Sequence, residues 1–326
     1  MRKRHVWYRS FVVRGSVLPR IWLRVLAFTA IAVALTDAVR RGLVPVELPW
    51  SAAAVIGSAV GLHIAFRTNT GYERFWEART AWGAIVNRTR NVARQIHALL
   101  DGEERREAIL LVVAFVHGAK RHFWRDRAVP EADALLGRER SLALQAPPGM
   151  PQRTLLDLGH LFVRARRAGK LDSIDQQRLE ADLTSLIDQF GICQRIRSTP
   201  LPDAYVIQLR TALTVFLLAL PLSLAGRLGW YTPPLVFAIA YVFIGMEQIG
   251  TELEDPFERT HNDVKLAEIS VTIERDLLAL CGEAPRKAPP PIGKADPGTI
   301  PDEELEERCP ATPHASALPP PSTAGA

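Results

Sequence analysis

Cysteine is scarce in this chain of 326 residues: Cys193, Cys281 and Cys309 are its three. Their separations match neither a zinc-ligand spacing nor a disulfide framework, so no metal site and no cross-linked scaffold is expected. The nucleophile elbow, the phosphate loop, the dinucleotide fingerprint and the zinc-protease helix are missing too. Each needs glycines or ligands at fixed spacing to place its reacting group. The chain is therefore not expected to be an enzyme or to hold a cofactor. Acidic residues are absent from the first 24 positions, which carry Arg2, Lys3, Arg4, Arg9, Arg14, Arg20 and Arg24. That basic run is too long and too punctuated for a signal peptide, and no small-residue cleavage site follows the next apolar stretch. Formal charge of either sign is absent from residues 51–66.

What is present is unevenly spread. A content of 48% hydrophobic and 23% charged residues would suit a soluble protein, but the apolar side chains gather in four runs, at residues 21–39, 51–66, 205–226 and 230–250. About 20 apolar residues cross the hydrocarbon core of a bilayer, so four membrane spans are predicted. Arg24 can snorkel to the interface and Asp37 lies near the far end of its run. A net charge of +5 fits nucleic acid, an anionic membrane surface or basic cytoplasmic flanks of membrane helices. The last is expected, with membrane lipid as a partner and no nucleic acid. Four spans put both termini on one side. The seven basic residues of the N-terminal segment, against Arg40 and Arg41 in one turn and Arg227 in the other, make that side cytoplasmic. The expected location is a bacterial inner membrane, crossed several times.

The domain reading follows: a basic segment at 1–20, spans one and two within 21–66, a cytosolic helical domain at 67–204, spans three and four within 205–250, a cytosolic helical segment at 251–282, and a tail at 283–326. Stretches 78–100, 103–124 and 176–196 show the apolar stripe of water-facing helices and 262–280 also reads as a helix, whereas 128–154, with Pro130, Pro147, Pro148, Gly149 and Pro151, reads as a loop. Eleven prolines in the last 44 residues predict a disordered tail.

Several groups invite a role. Glu247, Glu252, Glu254 and Asp255 could hold a cation or act as acid and base, but pairing with nearby arginines is preferred. His63, at membrane depth, is either functional or hydrogen-bonded to a neighbouring helix. The second apolar run is rich in small residues, among them Gly57 and Gly61, which let helices approach closely. Ser58, Leu62 and Phe66 recur at intervals of four on one face of it. That face either packs as an ordinary helix stripe or, repeated about an axis, forms an apolar constriction that gates by dewetting. Tyr72, Phe75, Trp76 and Trp82 are either interfacial aromatics or, preferably, core between the long second helix and the cytosolic domain.

The stretch from Arg67 to Gly83, with Asn69, Tyr72, Arg74, Trp76, Glu77, Arg79 and Trp82, resembles a signature of the bestrophins in their bacterial form. Asp255, Pro256 and Phe257 followed by Asn262, Asp263 and Leu266 resemble a second signature. Cys193 to Ile196 with Thr199 to Pro202 and Tyr205 resemble the segment leading into the third span. The resemblance implies an all-α membrane protein, a homopentameric ion channel with four membrane helices per subunit and a cytosolic helical vestibule. It places a hydrophobic neck at Ser58, Leu62 and Phe66, with Arg67 and Asn69 as a cytoplasmic collar, and a second aperture at Ile174. Two departures stand out. Ser58 replaces a larger apolar neck residue, and Glu258, Arg259, Thr260 and His261 stand where the animal channels carry an acidic calcium clasp, so calcium gating is not carried over. Monovalent ions are the expected cargo, anions by family label and cations as in some bacterial members. A membrane-anchored cytoplasmic scaffold without conduction is the alternative.

Overall fold

The computed structural model describes residues 16–44, 48–126, 128–260 and 262–282. The expectations for the basic segment up to residue 15, for His261 and Cys309 and for the proline-rich tail fall outside these residues. Among the described residues the chain is all helical: α1 (Leu18–Arg40), α2 (Trp50–Leu99), α3 (Gly102–Phe123), α4 (Pro130–Leu136), α5 (Arg138–Gln145), α6 (Met150–Arg167), α7 (Ser173–Ser198), α8 (Asp203–Leu228), α9 (Thr232–Glu254) and α10 (Leu266–Leu280), with a 3-10 turn at Gly229–Tyr231.

Helix α2 organises both halves. Its 50 residues hold no proline, it starts just after Pro49 and it ends where Leu100 turns extended. At about 1.5 Å per residue it is about 75 Å long, more than twice the roughly 30 Å of hydrocarbon in a bilayer. The apolar first part and the charged remainder are thus one rigid element. Leu18–Arg40, Trp50–Leu99 and the continuous helical run Asp203–Glu254, which contains α8 and α9, are each long and apolar enough to cross a membrane.

Side-chain contacts fix the direction of each helix in the apolar bundle. Gly57 meets Phe216 and the His63 carbonyl accepts from the Tyr205 hydroxyl, so α2 runs antiparallel to α8. Gly61 faces Phe243 and Gly71 faces Gly250, so α2 runs parallel to α9. Gly229, at φ +50°, makes the tight reversal between α8 and α9, a backbone conformation that residues with a Cβ rarely adopt. Helix α1 is antiparallel to α9, with Ile21 beside Gly245 and Arg40 over the Trp230 ring. The small-residue expectation holds at Gly57, where a Cβ would stand 2.6 Å from the Phe216 ring. Ile21, Val25, Val60, Ile64, Leu217 and Val236 fill the space between the four helices.

The polar half packs around α3, whose residues 108–121 are buried without interruption: the helix expected to face water on one side is instead covered on every side by its neighbours. Phe123 is the junction: its ring stacks on Phe257 at 4.7 Å, meets the edge of Trp82 at 6.0 Å and leans on Phe190 at 5.3 Å. Such pairs add about 0.5–1.5 kcal/mol each beyond area burial, and they tie α2, α3, α7 and the segment before α10 together.

The loop expected at 128–154 is instead two short helices and the start of α6. The prolines read as breakers are starters: Pro130 and Pro151 sit in the first turns of α4 and α6, where the missing N–H costs nothing. Gly137 and Gly149, at φ +82° and +111°, supply the joints. The helix expected from residue 262 begins at Leu266, after the Val264 amide donates back to the Pro256 carbonyl at 3.0 Å.

Candidate functional site

Residues Ser58, Leu62 and Phe66 lie on the face of α2 opposite the bundle. Leu62 and Phe66 are 55% and 60% exposed, while Ala53, Gly57, Val60, Ile64 and Arg67 on the other side are buried. Successive members are about 6 Å apart along the axis. Ser58 turns its hydroxyl inward and donates to the Ala54 carbonyl at 2.8 Å, so its proton is taken by its own helix. Among the described residues the stripe therefore has no packing partner, which argues against the ordinary-stripe reading. It also continues: at about 100° per residue, Asn69, Glu73, Thr80, Asn87, Asn91 and Arg94 fall within about 40° of Leu62. All of these positions are exposed, and the buried set through Ile85, Thr89 and Ile96 stays on the far side. One helix face thus passes from apolar to mostly polar, with Trp76, Ala84 and Ala98 also on it.

Immediately behind Phe66 stands a hub of charge. Arg67 is 2% exposed and its guanidinium reaches Glu247 at 2.8 Å and Glu254 at 3.1 Å. Glu247, as deeply buried, also takes Arg210 at 2.9 Å and Arg24 at 3.8 Å. Glu252 pairs with Arg20 at 2.6 Å and accepts from Asn262 at 2.7 Å, and Asp255 pairs with Arg197. Arg74 donates to the carbonyls of Glu254, Thr199 and Ile196 at 3.1, 2.7 and 2.7 Å, and Glu254 accepts from the Leu201 amide at 3.0 Å. The acidic cluster is thus spent on arginines from α1, α2, α7 and α8. Among the described residues no group of three or more His, Cys, Asp or Glu side chains is arranged to hold a metal ion. A buried ion pair stabilises little against an apolar replacement, but breaking one side of it costs about 3–5 kcal/mol. The hub therefore fixes α2 against α9 at the boundary between the apolar and polar halves.

Other signature residues divide between core and surface. Trp82 is fully buried and Gly83 lies 3.4 Å, as a Cβ would see it, from the Arg79 guanidinium. Glu77 pairs with Arg195 at 2.5 Å. Asn69, exposed, donates to Glu73 at 3.1 Å. In the second signature Pro256 accepts from the Val264 amide at 3.0 Å, Asp263 accepts from the Thr260 amide at 2.7 Å and Phe257 enters the core. Burial raises the Asp263 carboxyl above the usual range, opposed by its hydrogen bonds with Thr260.

Two expectations need correction, for Tyr72 with Trp76 and for His63. Tyr72 and Trp76 are not core: they stack on each other at 6.5 Å and are 52% and 59% exposed, because they lie on the outer flank of α2, where no other described element covers them. Arg67, expected in the cytoplasmic collar, has its charge buried and paired with the acidic end of α9. The His63 ring bonds its own helix, at the Ala59 carbonyl 2.9 Å away, rather than a neighbour. Ile174 sits in the first turn of α7, 57% exposed, after Asp172 caps the Asp175 amide at 2.7 Å. Because α7 runs antiparallel to α2, with Arg195 beside Glu77 and Asp182 beside Arg88, Ile174 lies at the end farthest from the apolar bundle.

Sequence reasoning missed a buried polar network in the other half. His117 bonds Glu274 of α10 at 2.8 Å, and Glu131 takes both Lys120 and Arg121. Burial lowers the His117 pKa, against the opposing pull of Glu274. Burial would raise the Glu131 carboxyl, but the Arg121 hydrogen bond and the charge of Lys120 outweigh it and hold it at about 2. The signal available was the period of α3, which puts His117, Lys120 and Arg121 inside an otherwise apolar helix.

The sequence model described as Bacterial/Fungal Bestrophin protein matches residues 1–279. A voltage-dependent anion channel-forming protein of Nostoc is 33% identical over 304 residues, covering 91% of this chain and 99% of its own length. Its counterpart in Mesorhizobium japonicum is 32% identical, covering 86% and 91%. A solved structure of a bacterial bestrophin homologue from Klebsiella pneumoniae superposes with a TM-score of 0.77 at 29% identity, covering 81% of this chain and all of that one.

Proposed function

The chain belongs to the bacterial and fungal bestrophin family, and from that premise we propose that it forms an ion channel whose pathway follows the exposed face of α2. It is a membrane protein, and its relatives carry the name of anion channel-forming proteins. The observation that carries the reading is the unpartnered stripe of Ser58, Leu62 and Phe66. A helix that leaves an apolar line bare on the side away from its own bundle needs copies of itself to cover it. Five subunits around an axis give those lines a common centre, with a neck of Leu62 and Phe66 rings. Such a neck resists ions by the cost of dehydrating them and needs no coordinating group. Ile174, at the far end of the polar half, stands at the other mouth, about 50 Å away by the rise of α2. The termini and the polar half face the cytoplasm of a bacterial inner membrane, supported by the basic flank of α1. Ions are monovalent, with anions preferred.

The purified protein in planar bilayers tests this. Leu62→Ala and Phe66→Ala should raise unitary conductance by removing dehydration surface, and reversal potentials in asymmetric sodium chloride should lie on the chloride side. Unchanged conductance with an intact oligomer refutes the neck, and a sodium-side reversal refutes the anion preference.

A further inference from the structure

Where the far end of α2 meets the start of α7, a cleft of about 450 Å³ opens between Arg94 and Arg178. Among the described residues neither guanidinium has a hydrogen-bond or ion-pair partner, although their neighbours do. Arg88 holds Asp182 at 3.0 Å, Gln95 donates to the same carboxylate at 2.5 Å, and Arg90 holds Asp276 at 2.7 Å. The buried acid of the cleft is thus already neutralised. Asp175 is the other carboxylate in the lining, so two unpaired cations stand against one unpaired anion.

Register places both arginines on the proposed pathway. Arg94 continues the Leu62 line of α2, and Arg178 follows Ile174 by four residues, which returns it to the same face of α7. A hydrophobic neck discriminates ions by hydration rather than by sign, so sign has to be imposed elsewhere along the path. Guanidinium groups are weakly hydrated and suit weakly hydrated anions better than an ammonium does.

We propose that Arg94 and Arg178 form an anion-binding site at the cytosolic mouth, taking a small inorganic anion such as chloride, and that this site sets the preference for anions over cations. The proposal rests on the pathway assigned above. Repeated in each subunit, the pair raises the local anion concentration within about a Debye length, roughly 8 Å at physiological salt, and loses that effect at molar salt.

The test compares the full-length protein with three double variants in planar bilayers. Arg94→Gln with Arg178→Gln should lower the chloride-to-sodium permeability ratio by about threefold or more at 0.15 M salt, with the difference fading near 1 M. Arg94→Lys with Arg178→Lys keeps the charge and should keep most of the ratio. Arg125→Gln with Arg138→Gln removes two exposed arginines away from the cleft and should leave it unchanged. An intact oligomer whose ratio does not move in the first variant, or moves equally in the third, overturns the site while leaving the channel standing. If the unaltered protein passes no current, the channel reading fails, and the site is judged by chloride-35 NMR line broadening of the protein in detergent. Loss of broadening in the first variant beyond that in the third supports anion binding, and equal loss overturns it.

Discussion

Replacing Glu247 by leucine removes the acid that three arginines share. Of those, Arg24 and Arg210 are about half exposed and can turn to water or lipid headgroups, whereas Arg67 is 2% exposed and cannot. Truncating one partner of a buried pair costs about 3–5 kcal/mol. Arg67 retains Glu254 at 3.1 Å, so the lower end, about 3 kcal/mol, is the expected loss. At about 2–4 °C of melting temperature per kcal/mol for a chain of this class, that is a drop of about 6–12 °C. Adding Arg67→Met should recover most of it, because the pair as a whole stabilises little relative to apolar side chains of similar volume. The assay is thermal unfolding of the purified protein in detergent, as a double-mutant cycle of Glu247→Leu, Arg67→Met and the pair. A single variant that melts within about 2 °C of the unaltered protein, or a double variant no better than the single, refutes the view that the hub clamps α2 by compensating a buried charge.

Gly57→Ala should cost about 1–3 kcal/mol by overpacking against Phe216, with Phe216→Leu restoring the melting temperature. Acid should destabilise the polar half in two windows. His117 has a lowered pKa, so its contribution is complete above its ordinary value of 6.5 and is lost as pH falls below it. Glu131, lowered from 4.5 to about 2, loses its contribution only between those values. His117→Gln should flatten the upper limb of a melting-temperature profile and Glu131→Gln the lower. The Cys193 thiol is pushed by burial up to about 12, so a maleimide should leave its peptide unlabelled in the native protein and label it after denaturation, as peptide mass spectrometry would read.

Binary pattern and charge carried much of this protein by themselves. Four apolar runs of spanning length, a second run whose helical period passes into charged sequence, and the fourfold spacing of Ser58, Leu62 and Phe66 are local properties. The period of a helix is the same in isolation as in a bundle, so the stripe was legible before any contact was known. The pairing of the acidic cluster with arginines was legible as a class of interaction, since cationic and anionic residues crowd the same boundary. Tertiary structure alone decided which arginine is buried. Arg67 and Asn69 are two residues apart in a charged stretch, and only the arrival of α9 from residue 247 onward makes one a clamp and the other a surface group. The same holds for Tyr72 and Trp76 against Trp82, because aromatic identity does not say which side of a helix another element will cover. Prolines at 130 and 151 start helices rather than break them, and Ala132, Leu135, Leu155 and Leu158 of those helices are buried in the polar half. The partners of His117 lie 14 and 157 positions away, at Glu131 and Glu274, and the unpaired state of Arg94 and Arg178 depends on Asp182 being taken by Arg88. Such facts follow from which distant segments compete for the same charge, and that competition exists only once the chain has folded.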